Sequence, residues 1–275
     1  MLCSVFTNCV CSYQKLFAFS YDKSSLLNCT NACSVIKSYS LFLIFAPMKA
    51  EIKAVIDAMS KRFTSHPWHG IEIGEKQPAI VNAFIEIIPA DSIKYEIHKP
   101  SGYIMVDRPQ KLSNHMPCLY GFVPQTYCDK EVAAFSNEKT GRTDIVGDGD
   151  PLDICVLSER SFNHGNIICD AKVIGGFRML DGGEADDKII AVLKGDQAYG
   201  AIEDISEMPK MVIDRVRHFF LTYKDLDGGA KNVEITHVYG KEEAFEVIRR
   251  SHNDYTNKFG NADENLASAL EKLLG

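Results

Sequence analysis

The chain has 275 residues, 45% hydrophobic and 24% charged, an ordinary globular balance with room for a sizeable core. Its formal charge of -7, with no cluster of Lys and Arg, argues against nucleic acid or an anionic membrane as partner. An anionic substrate would have to be bridged to such a protein by metal ions.

Residues 1–47 are atypical. They hold five of the nine Cys and only four charged residues, Lys15, Asp22, Lys23 and Lys37. The apolar run 41–46 is too short to span a bilayer, and neither a transit peptide nor a secretory signal fits. The spacing of Cys9, Cys11, Cys29 and Cys33 lacks the paired form of a zinc site. At Met48 the pattern changes abruptly to an amphipathic helix. The expectation is an extension over 1–47 that is disordered or not native, followed by a single domain over 48–275. Cys118, Cys128, Cys155 and Cys169 read as small buried hydrophobes in a reducing compartment, the cytoplasm.

A helix is expected over 48–63, then a Pro- and Gly-interrupted surface turn, Ser65 to Gly70, whose two His lack companion ligands. Strand signals follow at 81–88, 93–97, 103–106, 119–123, 152–157, 167–174, 188–193 and 233–239. Many short strands with Gly and Pro turns predict a closed or partly closed barrel rather than a parallel sheet. The polar stretch Tyr127 to Gly147 reads as a surface loop. Helices are predicted at 207–223, with Val212, Val216, Phe219 and Phe220 on one stripe, and at 241–255, with Ala244, Val247, Ile248 and His252. A last helix fits 263–274. No linker divides 48–275.

The chemistry concentrates in Asp148-Gly149-Asp150-Pro151-Leu152-Asp153, three carboxylates in six residues. Such anions repel one another unless cations neutralise them, and oxygen-only ligands select Mg2+, Ca2+ or Mn2+. An EF-hand fails at Leu152 and at Asp153, where a Gly belongs; a phosphate loop ending in Gly-Lys-Ser/Thr and a His-Glu-x-x-His motif are both absent. A second acidic run, Asp181 to Asp187, fits either a metal loop or a solvated turn when taken alone. Two clusters in one acidic chain favour the metal. Lys94, Arg108, Tyr120, Tyr223 and Lys224, unremarkable singly, form together a set suited to clamping phosphate.

From about Phe84 to Lys224 the chain resembles the soluble family I inorganic pyrophosphatases. The hexapeptide Asp148 to Asp153 fits that family's signature. Around it, in the family's order, stand Phe84-Ile85-Glu86-Ile87, Ile93-Lys94-Tyr95-Glu96, Val106-Asp107-Arg108, Pro117 to Gly121, Asp181 with Asp186-Asp187-Lys188, and Phe219 to Lys224. The resemblance implies a mainly β (α+β) fold, an OB-type closed antiparallel β-barrel with flanking α-helices. It implies hydrolysis of pyrophosphate to two orthophosphates with several Mg2+ ions, Mn2+ being a substitute. By position, Asp148, Asp153, Asp181 and Asp186 would be metal ligands, and Asp150 the general base. Lys94, Arg108, Tyr120, Tyr223 and Lys224 would bind substrate, while Glu86, Glu96 and Lys188 support the ligand shell. A homo-oligomer, a hexamer, is implied as well.

Three departures stand out: Met116 where a Tyr is usual, Gly182 where an acid is common, and a longer 127–147 segment. Two other readings use the same residues, a metal-dependent hydrolase of nucleotides and a non-enzymatic ion-binding or OB-like module. Release of phosphate from ATP would mark the first. Loss of Asp150 or of the basic set would mark the second, and all are present.

Overall fold

The computed structural model describes residues 54–55, 63–224, 233–260, 268–269 and 272. By its internal contacts the chain divides into two units, 1–55 and 56–275. The expected extension over 1–47 lies outside the described residues, as do most of the helices expected at 48–63 and 263–274. Ala54, Val55, Ser268, Ala269 and Lys272 are helical.

Among the described residues, ten strands and three longer helices make a mainly β fold. In chain order these are β1 (Ile80–Ile87), β2 (Ile93–Ile97), β3 (Ile104–Pro109), β4 (Leu119–Phe122), α1 (Lys130–Thr140), β5 (Val146–Gly147) and β6 (Asp153–Leu157). Then come β7 (Ile167–Asp181), β8 (Glu184–Ala185), β9 (Lys188–Leu193), α2 (Lys210–Thr222), β10 (Val233–Gly240) and α3 (Lys241–Phe259).

Strand pairing runs β1-β4-β6-β9-β7, and β7 pairs again with β1, so the hydrogen bonds close into a ring. The ring departs from the all-antiparallel expectation at one seam, where β6 and β9 run parallel. Between them the chain travels along β7, a crossover that returns it in the same direction. The fifteen-residue β7 exceeds the eight residues expected because its second half pairs with β10 and β8 rather than with the ring alone. The hairpin β2–β3 forms a separate two-stranded sheet.

The ring strands are apolar almost without interruption because both faces are covered. Ile154, Val156, Ile189 and Ala191 pack with Val132 and Phe135 of α1 and Ala244, Val247 and Ile248 of α3. Their neighbours Cys155, Leu157, Ile190 and Val192 point the other way, to Ile213, Val216, Phe219 and Phe220 of α2. The period of two thus sorts one strand into two cores. On α2 the buried stripe uses Ile213 where Val212 is expected. Cys118, Cys128 and Cys155 are buried free thiols, and Cys169 is partly buried.

The 127–147 segment is not a surface loop. Its residues 130–140 form α1, with Val132, Ala133, Phe135 and Ser136 buried on one stripe. The helix start is capped from α3: Asp254, 4% exposed, accepts hydrogen bonds from the backbone N–H groups of Asp129, Glu131 and Val132 at 3.0–3.1 Å. The Ser65–Gly70 connector is likewise more than a surface turn. Trp68 is buried and its Nε1 donates to the Thr126 carbonyl at 2.8 Å.

Candidate active site

The two acidic runs and the basic set converge where β4, β6, β8 and β9 end. Gly149 takes φ +74°, a left-handed conformation natural to glycine. The turn it makes lets the Asp150 N–H donate to Asp148 Oδ1 at 3.0 Å, so the two side chains sit on one loop. Asp153 opens β6 directly opposite Phe122 of β4 and Lys188 of β9. Tyr120, two residues before Phe122, donates its hydroxyl to Asp153 Oδ2 at 2.5 Å. Next in β4, Gly121 passes so close to β1 that an added Cβ would lie 1.8 Å from the Phe84 carbonyl oxygen, which only glycine permits.

The second acidic run is a two-residue hairpin between β7 and β8, with Gly182 and Gly183 at φ +61° and +92°. Positive φ at both explains glycine where an acid is common. The hairpin brings Asp181 to the ammonium of Lys224, just beyond α2, and the chain then carries Asp186 to Lys188, which bridges Asp186 and Asp153. The adjacent Asp187 faces the interior instead. Its Oδ2 accepts from Tyr239 at 3.0 Å and lies 2.7 Å from the fully buried Arg178, which also reaches Glu243 of α3 at 2.9 Å. That buried set ties the acidic hairpin to α3.

A cavity of about 240 Å3 is lined by Asp148, Asp150, Asp153, Asp181, Asp186, Glu86, Glu96, Lys94, Lys188, Tyr120, Tyr223 and Lys224. Every anticipated site residue is there except Arg108. Arg108 lies on β3 and donates to Asp107 at 2.6 Å, and Asp107 in turn accepts from Lys94 at 2.9 Å, so the guanidinium stands one contact behind the lining. Two charged residues not anticipated also line the cavity, Glu184 and Lys99, the latter paired with Asp150. Lys99 carried no sequence signal, since it lies outside the clustered charges on a hairpin turn. Met116, in place of a tyrosine, is buried beside Ile87, Phe219 and Phe220 and offers the site no hydroxyl.

Counting the lining, eight carboxylic side chains face four lysines. The imbalance has visible consequences. Burial, reinforced by the Asp153 charge, pushes the Glu86 carboxyl up to about 8, although it accepts the Ile97 N–H at 2.6 Å. Burial and the Asp186 charge push Asp148 up to about 8 as well, and burial also raises Asp186. The ammonium of Lys188 is buried, yet Asp153 and Asp186 hold it protonated well above its usual range. For Lys94 burial opposes the charge, and its bonds to Glu96 and Asp107 outweigh it. Carboxylates forced up in this way gain from any added positive charge. Among the described residues no three acidic, His or Cys side chains already meet at metal-ligand spacing, because Lys188, Lys224 and Lys99 stand between them. The donor set is nevertheless all oxygen and in excess, which suits hard dications rather than zinc or copper.

A sequence model of the inorganic pyrophosphatase family matches residues 83–256. The inorganic pyrophosphatase of Chlamydia muridarum is 50% identical over 199 residues, 70% of this chain and 95% of that protein. The chain belongs to the inorganic pyrophosphatase family. A soluble inorganic pyrophosphatase of rice is 35% identical over 210 residues, 76% of this chain and 88% of its own. The crystal structure of the Thermus thermophilus pyrophosphatase aligns with a TM-score of 0.59 at 30% identity, covering 70% of this chain and 99% of that one. As a soluble family I pyrophosphatase it hydrolyses inorganic pyrophosphate, and members of the family are metal-dependent. Among the described residues no helix is long and apolar enough to cross a membrane.

Proposed function

We propose that Asp150 is the general base of pyrophosphate hydrolysis, that Asp148, Asp153, Asp181 and Asp186 hold Mg2+, and that Lys94, Tyr120, Tyr223 and Lys224 bind the substrate's phosphates. The observation that carries this reading is the cavity itself, where residues from 86 to 224 gather with twice as many carboxyl groups as ammoniums. Pyrophosphate alone would be repelled there. Bound dications supply Lewis acidity and offset phosphate charge. Asp150, about half exposed, takes the proton of the attacking water. Lys94 and Lys224 hold phosphate oxygens as point charges while the tyrosine hydroxyls donate hydrogen bonds. Glu86, Glu96 and Lys188 fix the carboxylates from behind, and Arg108 completes the clamp by leaving Asp107 for substrate.

The five-strand ring with its one parallel seam supports an OB-type barrel as the scaffold. Residues 48–275 form the functional unit, Mn2+ substitutes for Mg2+, and free buried thiols suit the cytoplasm. A homo-oligomer, a hexamer, follows from family resemblance.

The test is orthophosphate release from pyrophosphate with Mg2+ and with EDTA, for the natural chain and for Asp150→Asn. EDTA should abolish release, and the variant should bind Mg2+ normally while turnover falls by about 100-fold or more, the scale of a lost general base. Near-normal turnover in the variant would falsify the role of Asp150.

A further inference from the structure

We infer that Lys99 is a further substrate-binding residue, one that exchanges Asp150 for a phosphate oxygen when pyrophosphate enters, with His66 as its positioning residue. This rests on the cavity being the pyrophosphate site and on Asp150 being the base. The ammonium of Lys99 is bonded to Asp150 Oδ1, and a neighbouring cation stabilises the carboxylate and makes it a weaker base. Opening the contact strengthens Asp150 for proton transfer.

The four lysines of the cavity differ in how firmly they are held. Lys94 is shared by Glu96 and Asp107, and Lys188 by Asp153 and Asp186. Among the described residues Lys99 pairs with Asp150 alone, as Lys224 does with Asp181, and its side chain is half exposed on a flexible four-carbon stem. Phosphate oxygens arriving in the cavity offer this ammonium a multiply charged partner in place of one carboxylate. The exchange releases the base only once substrate is bound.

The backbone beneath Lys99 is fixed. His66 Nδ1 accepts the N–H groups of Trp68 and His69 at 3.2 and 3.4 Å, which leaves Nε2 to carry the hydrogen. That Nε2–H donates to the Lys99 carbonyl at 2.9 Å. Beside it Gly102, at φ +73°, lies against the same ring and Pro67, where an added Cβ would come within 2.9 Å of both. The connector Ser65 to Gly70 thus buttresses the turn that presents Lys99. The lysine's stem moves while its root stays.

Calorimetry of imidodiphosphate, a pyrophosphate analogue with a bridging NH, in Mg2+ tests this on the full chain. Lys99→Gln should weaken binding about 10- to 100-fold, the range for losing hydrogen bonds to a charged group, and Lys99→Arg should restore most of it. His66→Ala should weaken binding in the natural chain and have no further effect in Lys99→Gln. If Lys224→Ala weakens binding while Lys99→Gln binds like the natural chain, the assignment of Lys99 is wrong, and the same holds if Lys99→Gln lowers only kcat. If neither variant weakens binding, the cavity is not the pyrophosphate site and the reading beneath fails instead.

Discussion

At Lys188 one ammonium, 2% exposed, sits between two carboxylates that lie 33 positions apart in sequence. Deleting one partner of a buried ionic group leaves the others uncompensated, at a cost of about 3–5 kcal/mol. Lys188→Met should therefore lower stability by about that amount in EDTA, and millimolar Mg2+ should recover part of the loss by neutralising Asp153 and Asp186. Denaturant unfolding with and without Mg2+ measures both; equal losses in the two conditions would mean the dication does not reach these carboxylates. The same residue marks what was legible. Asp148, Asp150 and Asp153 announce themselves because three like charges in six residues have no packing rationale. Lys99 announces nothing, since its role comes from a contact to a residue 51 positions away. Arg108 was legible by residue type as part of a phosphate clamp, whereas its pairing with the neighbouring Asp107 was not.

The strands were readable because short apolar runs bounded by turn residues, as at β6 and β9, are a local property, and the observed bounds of β2 and β9 coincide with those expected. The parallel seam was not, because direction depends on the path between strands. Helix α1 escaped for a related reason. Its sequence is polar enough to pass for a loop, and its N-terminus has no capping side chain of its own. The cap is Asp254, brought from 122 positions away by α3. Asp254→Ala would leave three backbone N–H groups of α1 without this acceptor, a loss of about 2 kcal/mol. In a domain of this size that lowers Tm by about 4–8 °C. Calorimetric scans check the shift, and hydrogen exchange should show residues 130–136 losing protection first; uniform loss over the whole fold would argue that Asp254 does not act through α1.

For the molecule as a whole, two matters follow from how charge and chain are distributed. The family match begins at residue 83, and the chlamydial relative aligns over 199 residues. A chain begun at Met48 should release orthophosphate at the full rate; a severalfold loss would place residues 1–47 within the functional unit. The charge balance gives the second. Glu86 and Asp148 keep their protons up to about pH 8 in the folded protein, whereas in the unfolded chain they lose them near 4. Across that window the folded state binds more protons, so stability must fall as pH rises, opposite to the trend of carboxylates paired with cations. In EDTA, Tm should be lower at pH 8 than at pH 5. Mg2+ reverses the logic, because it binds the deprotonated carboxylates and binds them better as protons leave. The gain in Tm from Mg2+ should therefore be larger at pH 8 than at pH 5. A gain independent of pH would mean the dications bind somewhere other than among these buried acids.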